Sequence, residues 1–474
     1  MVVGDLSTGT EVLVIGAGPG GYVAAIRASQ LGKEVTLIDK GSLGGICLHH
    51  GCIPSKALIH AADFFHKIKH AEGIGILTEN VSIDIAKTQE WKKNVIATLT
   101  NGIEMLCKRY NVKVINGNAF FESPTMVKVL LPDKFMNIEF QNAIIATGSV
   151  PIEAQGFEFD GKVIISSNEA LEISTLPKDM VVIGGGYIGL ELGTVFAKLG
   201  SSITIVEYEE QILPGIDKDV VSVIVRNLEK LGVRIYTGYK AEKCEVNGSS
   251  AVVTISSSNG TKLELSSDKV LVAIGRKPNT CELKLENTRV DVDEKGFIKV
   301  DNMQRTSDRK IFAIGDVANH PMLAHKATRQ AKVAAEIIAG KESSYDNLVV
   351  PAVIFTDPEV AIAGLTENEA TTKGYEIKVG KFPLSALGRS LTVNQKDGFV
   401  KVIADKKTEV VLGIVIVGYN ASDIIGEAGL AIELGATLDD IALTIHAHPT
   451  FPESLMEAAE AAKGVSVHLF GSKQ

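Results

Sequence analysis

The 474-residue sequence predicts an α/β chain in which one dinucleotide-binding unit is inserted within another, followed by an α+β domain. Three observations carry this expectation. An apolar strand at residues 11–15 runs into Gly16-Ala17-Gly18-Pro19-Gly20-Gly21, then a helical stretch, then a strand at 35–38 closed by Asp39. The same order recurs: a strand at 181–183, Gly184-Gly185-Gly186-Tyr187-Ile188-Gly189, a helix, and a strand at 203–206 closed by Glu207, with the same spacing from first glycine to acid. From about Leu348 onward the glycine loops give way to strand-like runs that precede helical stretches.

In each βαβ unit the glycines have separate physical tasks. Gly16 permits the tight turn, Gly18 the approach of a pyrophosphate to the backbone, and Gly21 close packing of helix on strand. The pyrophosphate would sit on the helix N-terminus, and Asp39 would accept hydrogen bonds from ribose hydroxyls. Gly184, Gly186, Gly189 and Glu207 repeat the set, and Glu207 would repel a 2′-phosphate, which favours NAD over NADP. Two such units mean two nucleotides in one chain, between which electrons can pass. The alternative, a degenerate second copy, is disfavoured because all three glycines and the acid are kept in both.

Further buried strands end in glycine turns, at 143–148 (closing on Thr147 and Gly148), 270–275 (closing on Gly275) and 311–316 (closing on Gly315 and Asp316). They place the second nucleotide unit inside the first. The boundaries expected are 1–150 for the first unit, 151–276 for the insertion, 277–347 for the return and 348–474 for the C-terminal domain. Within the last, residues 410–417 read as a buried central strand, and 454–463 as a helix.

The chain is 45% hydrophobic with 45 glycines and a net charge of −9, which suits a large core and argues against nucleic acid as the main partner. No apolar run approaches a membrane span, and no signal peptide is visible at the N-terminus, so a cytoplasmic protein is expected. The five cysteines, an odd count, form no disulfide framework. Cys107, Cys244 and Cys281 read as buried small hydrophobes.

Cys47 and Cys52 differ. They lie in Gly44-Gly45-Ile46-Cys47-Leu48-His49-His50-Gly51-Cys52-Ile53-Pro54-Ser55-Lys56, just downstream of the first nucleotide loop. A redox disulfide beside a nucleotide cofactor is one reading. Positions five apart do not face each other on an ideal helix, so it requires an irregular segment, which Gly44, Gly45 and Gly51 permit. The rival is a metal site using Cys47, His49, His50 and Cys52, disfavoured because four ligands within six residues would need severe backbone folding. Lys56, one turn after Cys52, and Glu191 would form a buried ion pair if the two units met over one cofactor. His448 has the acid–base chemistry to exchange protons with a thiol, with Glu453 placed to orient it.

These motifs resemble those of the flavin-dependent pyridine nucleotide–disulfide oxidoreductases, over nearly the whole length. The likeness also rests on Gly275-Arg276-Lys277-Pro278-Asn279, Pro321-Met322-Leu323-Ala324-His325-Lys326, Phe355-Thr356-Asp357-Pro358-Glu359 and His446-Ala447-His448-Pro449-Thr450. It is closest to the members that oxidise protein-bound dihydrolipoyl groups with NAD+. The resemblance implies two Rossmann-like domains, the NAD domain inserted in the FAD domain, and a C-terminal α+β dimerisation domain. It implies FAD, tightly bound and one per subunit, held by Gly16, Gly18, Gly21, Asp39, Thr147, Gly148 and Asp316, with Lys56 and Glu191 beside the flavin ring. Met322, Leu323, Ala324 and His325 would approach the ring. NAD+ or NADH would lie on Gly184, Gly186, Gly189, Glu207 and Gly275. Cys47 would be the thiol that meets substrate, Cys52 the one that faces the flavin, and His448, oriented by Glu453, the base. The implied homodimer shares its active site, His448 coming from the other subunit. Lipoyl domains of an acyltransferase or carrier protein would be its partners, with no metal, nucleic acid or membrane insertion.

Two departures stand out: His49-His50 between the cysteines, and Thr328-Arg329-Gln330 where an acidic residue is common in the family. The sequence also leaves two other readings open, a sister NAD(P)H-dependent disulfide reductase and a non-catalytic nucleotide-responsive binding protein. An apolar stretch at 57–62 weighs against the first, and the retained cysteine pair, Lys56, His448 and Glu453 against the second.

Overall fold

The computed structural model describes residues 6–469. Its first sheet is built on the strand Leu6–Ile15, flanked in parallel by Val35–Asp39 and Phe135–Ile145. Lys113–Asn116 extends the parallel run on one side, and Ile311–Ala313 on the other, beside the C-terminal half of Phe135–Ile145. The N-terminal half of that strand turns instead to an antiparallel ribbon with Met126–Leu130 and Asn118–Ser123. The central strands are covered on both faces, which is why they read as unbroken apolar runs: Val12, Leu13, Val14 and Ile15, and Ala143, Ile144 and Ile145, are all buried.

The second sheet repeats the plan. Asp179–Ile183 is central, with Ser202–Glu207 and Arg234–Thr237 on one side and Lys269–Val272 and Ile164–Ile165 on the other, all parallel. An antiparallel ribbon of Tyr239–Asn247, Ser250–Ser257 and Lys262–Ser267 takes the place in chain order of the first unit's ribbon. The whole sheet lies in sequence between Phe135–Ile145 and Ile311–Ala313, so it is an insertion. The outgoing strand Ser149–Pro151 and the returning strand Arg276–Pro278 pair antiparallel, so the chain leaves and re-enters at one place.

The C-terminal unit is a five-stranded antiparallel sheet ordered Ala352–Ile354, Glu359–Gly364, Val411–Gly418, Phe399–Asp405, Ile377–Pro383. Val411–Gly418 is its central strand, as its apolar run predicts. Ala361, Val400, Val402, Ile414 and Ile416 pack in one core with residues of the helices Ala421–Glu433 and Glu453–Lys463. Alternate residues Val360, Phe399, Val415 and Val417 share an apolar cluster with Leu58 and Ala62 of the Cys52–Lys69 helix and with Leu192 and Val195 of the Tyr187–Leu199 helix. The third unit is thereby docked on the helices that follow the cysteine pair and the second glycine loop.

One expectation needs correction. Of the three isolated cysteines only Cys107 is buried; Cys244 is half-buried and Cys281 exposed. Cys281 lies on a loop whose apolar anchor is its neighbour Leu283, and the loop turns the thiol outward. Among the described residues no helix is long and apolar enough to cross a membrane.

Candidate active site

The cysteine segment folds as a broken helix. The helix Gly45–His50 ends at Gly51, which adopts φ −148°, ψ −113°, and the helix Cys52–Lys69 starts immediately after. A Cβ at Gly51 would lie 3.0 Å from the Ile46 carbonyl oxygen, so the bend favours glycine. This break brings two positions five apart to a Cα–Cα distance of 4.8 Å, and Cys47 and Cys52 are joined as a disulfide. Cys52 is the first residue of an 18-residue helix, whose N-terminal dipole stabilises a thiolate there. His49 donates Nε2–H to the Leu43 carbonyl at 2.9 Å, so its ring braces the turn before the disulfide.

Both cysteines line a cavity of about 610 Å³, within the range of small-molecule sites. Gly16, Gly18, Asp39, Thr147, Gly148 and Asp316 stand in its wall, as do Lys56, Glu191, Met322 and Ala324, and both His49 and His50. Other predicted residues stand outside it. Gly21 packs beneath the loop, Leu323 caps the helix Ala324–Ile338, and His325 turns its Nε2 to the Pro351 carbonyl at 2.7 Å. Gly184, Gly186, Gly189, Glu207 and Gly275 do not line this cavity, nor do His448 and Glu453.

The two glycine loops have matching geometry. Gly16 and Gly184 take φ of +100° and +104°, and a Cβ on them would lie 2.3 Å from the Ala146 carbonyl oxygen and 2.5 Å from that of Ala273. A Cβ on Gly21 or Gly189 would strike the carbonyl oxygen of the first glycine, at 1.7 and 2.3 Å. Gly18 and Gly186 differ: a Cβ there meets no atom within 4 Å, which leaves open space over the backbone where a pyrophosphate can approach. The acids clasp their loops alike. Asp39 accepts from the backbone N–H of Ala17 (2.5 Å) and Gly41 (2.7 Å), Glu207 from that of Gly185 (2.6 Å) and Glu209 (2.8 Å). Each carboxylate oxygen keeps a further lone pair for a ribose hydroxyl. Both loops therefore fit a dinucleotide.

Lys56 and Glu191, 135 residues apart, meet at the cavity wall: Nζ donates to Oε2 at 2.8 Å. Glu191 is 4% exposed, and its other oxygen accepts the backbone N–H of Phe355 at 2.9 Å. His448 donates Nδ1–H to Glu453 Oε1 at 2.7 Å, which leaves Nε2 as the free ring nitrogen. Its side chain is 78% exposed. The neighbouring His446 is held by Glu427 at 2.8 Å and by the Thr444 carbonyl at 2.9 Å, which anchors the loop.

Sequence reasoning missed a polar relay in the same wall. Ser149 Oγ donates to Asp316 Oδ2 at 2.7 Å and accepts from Arg276 Nε at 2.8 Å. Gln330, one of the departures noted in the sequence, is fully buried; its Oε1 accepts the Gly315 N–H at 2.8 Å and so fixes the turn that presents Asp316. Lys326, 2% exposed, donates to the Asn319 backbone and side-chain oxygens at 2.5 and 2.7 Å. Burial lowers its amine to about 8, with the charge of Asp316 opposing the shift. A sequence signal existed for Arg276, in its glycine–proline turn. Lys326 and Gln330 stood out only as the end of a family motif and as a departure from it, with no role attached, and Ser149 sits in an ordinary context that carries no signal.

The sequence profile of the pyridine nucleotide-disulphide oxidoreductases matches residues 10–331, and that of their dimerisation domain matches 350–459. The chain belongs to this family. It is an oxidoreductase, and the second match indicates a homodimer. It is 50% identical over 469 residues to a dihydrolipoyl dehydrogenase of Geobacillus stearothermophilus, covering 99% of both chains. It is 47% identical over 470 residues to the dihydrolipoyl dehydrogenase of Bacillus subtilis, covering 99% of this chain and 100% of that one. Among solved structures it resembles LpdA from Mycobacterium tuberculosis (TM-score 0.88, 27% identity, 95% and 99% covered). It also resembles RclA, an HOCl-induced flavoprotein disulfide reductase from Escherichia coli (TM-score 0.84, 27% identity, 95% and 99% covered).

Proposed function

We propose that the protein oxidises protein-bound dihydrolipoyl groups to the disulfide and delivers the electrons to NAD+. The observation that carries this reading is the Cys47–Cys52 disulfide in the wall of the cavity that also holds the first glycine loop, one helical turn from Lys56. Full-length likeness to dihydrolipoyl dehydrogenases supports the substrate class. FAD would occupy the cavity against Gly16, Gly18, Asp39, Thr147, Gly148 and Asp316, and NAD+ would bind at Gly184, Gly186 and Glu207. When bound, the flavin supplies the two-electron exchange between the cysteine pair and the nicotinamide.

The chain's own residues handle the thiol chemistry. His448 Nε2 takes a proton from one dihydrolipoyl thiol, and Glu453 at Nδ1 holds the resulting imidazolium. The substrate thiolate attacks Sγ of Cys47; a mixed disulfide forms, and the Cys47–Cys52 bond breaks to leave Cys52 a thiolate at the helix N-terminus. His448 passes the first proton to solvent and takes the second from the remaining substrate thiol, whose sulfur attacks the substrate sulfur of the mixed disulfide. The lipoyl disulfide forms and Cys47 leaves as a thiolate, so two electrons now rest on the cysteine pair. Exposure of His448 and its place outside the cavity of its own chain suit a base lent to the partner subunit, so that each site needs the homodimer. The domain division follows: 1–150 and 277–347 for FAD, 151–276 for NAD, 348–474 for the subunit interface, in a cytoplasmic enzyme whose partner is a lipoyl domain.

The purified protein is expected to be yellow, to reduce NAD+ with dihydrolipoamide in ping-pong fashion, and to leave glutathione disulfide unreduced with NADPH. A colourless protein without flavin absorbance, or one that turns over only glutathione disulfide, would overturn the proposal.

A further inference from the structure

Two bridges join the helices Cys52–Lys69 and Tyr187–Leu199, and both close on the same short segment of the C-terminal unit. At the first, Lys56 Nζ donates to Glu191 Oε2 at 2.8 Å and the Phe355 backbone N–H donates to Glu191 Oε1 at 2.9 Å. The same ammonium lies 4.3 Å from the centroid of the Phe355 ring. The second bridge stands seven residues further along each helix with its charges exchanged. Lys198 Nζ donates to Asp63 Oδ1 and to Asp357 Oδ2, both at 2.5 Å. Seven residues are two turns, about 10 Å of rise, so both bridges lie on one face of each helix and the helices run in the same direction.

We propose that Phe355 is a positioning residue for Lys56, and that the segment 355–357 holds the Lys56–Glu191 pair in place at the cavity. The inference rests on the flavin reading above. Glu191 has one oxygen on Lys56 and the other on the Phe355 amide, which fixes the plane of the carboxylate. Lys56 is about one-third exposed, at 32%, so its four-carbon stem has water within reach. The face of the Phe355 ring supplies a second attraction that restrains the ammonium beside Glu191. Lys198, with a side chain 1% exposed, is held by Asp63 and Asp357 together, so the second bridge ties Asp357, and with it the segment that carries the ring, to both helices. A cation held beside a flavin favours the reduced ring, on which negative charge builds.

The test uses the flavin itself. Holoenzyme is prepared as wild type, Phe355→Leu, Phe355→Tyr, Lys56→Met and the double variant Lys56→Met/Phe355→Leu. Phe355→Leu keeps the backbone N–H and removes the ring. Its flavin midpoint potential is expected to fall toward that of Lys56→Met, with a shifted absorption band. Its kcat should fall roughly three- to tenfold with KM for dihydrolipoamide unchanged, and Phe355→Tyr should restore all three. In the Lys56→Met background Phe355→Leu should add nothing. Asp357→Asn, which loosens the segment from the other bridge, should shift the potential in the same direction by less, and it stands in if Phe355→Leu fails to fold. An unshifted potential and spectrum in these variants, or an equal shift with Lys56 already removed, would overturn the inference. Flavin present in wild type with silent variants strikes only the role of Phe355; no flavin in wild type takes down the cofactor reading and this one together.

Discussion

The glycine loops at 16–21 and 184–189 share a positive-φ first glycine, an open second glycine, a packed third glycine and an acid that clasps the turn. They part company in what stands opposite them. Across the first lies a built wall: Gly45 approaches so closely that a Cβ on it would sit 2.6 Å from Gly18 Cα, and the turn at Asp316 and the cysteine helix close the same cavity. The second loop is roofed on its side by Ile212, and its open glycine does not line that cavity, which the end of the loop and its helix reach through Tyr187, Ile188, Glu191 and Leu192. One local motif thus serves two regimes. On the proposed reading, a nucleotide enclosed by the first loop would be retained through turnover and one laid on the second would be free to exchange. The helix Tyr187–Leu199 belongs to both, since it follows the second loop and lines the cavity of the first.

The largest effect should come from filling the open glycine of each loop. Gly18→Val is expected to yield protein without flavin absorbance and without activity. Gly186→Val should keep its flavin and its reduction by dihydrolipoamide while KM for NAD+ rises by more than about tenfold. If both variants lose flavin equally, the contrast between the loops fails. Next come the acids. Glu207→Ala removes a carboxylate that is 7% exposed and accepts two backbone amides, so NAD+ should bind about ten- to a hundredfold more weakly, with a narrowed preference over NADP+ in steady-state kinetics. Asp39→Ala should leave NAD+ untouched and lower flavin content instead.

The smallest effect lies behind the wall of the first cavity, under the Gly315 turn. The Lys326 amine is held to about 8 in the folded chain and titrates near 10.4 when unfolded. Between those values the unfolded chain binds more protons, so the contribution to stability improves as pH rises and the penalty is fully present below about 8. Wild type should gain about 2 kcal/mol relative to Lys326→Met between pH 7.5 and 9.5, a few degrees in melting temperature. A parallel pH dependence in the two proteins would refute that assignment.

Much of this was legible along the chain because it depends on neighbours in sequence. A tight turn needs Gly16 or Gly184 whatever surrounds it, and a buried parallel strand reads as an apolar run. The helix break between Cys47 and Cys52 is announced by Gly51. The acids closing the second strands fall at a fixed distance because a strand, a helix and a strand have fixed rises. The third unit's sheet was readable in part, through its central strand Val411–Gly418.

Tertiary structure alone decided which distant groups meet. Nothing in the local sequence joins Lys56 to Glu191 and Phe355, or Ser149 to Arg276 and Asp316, because those contacts exist only once the inserted unit and the C-terminal sheet dock on the first. Met322 and Ala324 enter the cavity wall while Leu323 and His325 do not, because the backbone is extended at Leu323, just before the helix, and sends successive side chains to opposite sides. The docking also leaves His448 exposed and away from the cysteines of its own chain. Sequence spacing specifies turns, caps and periodicity, which are set within a few residues. Side chains separated by more than a hundred residues acquire partners only from the burial of apolar faces that brings their elements together.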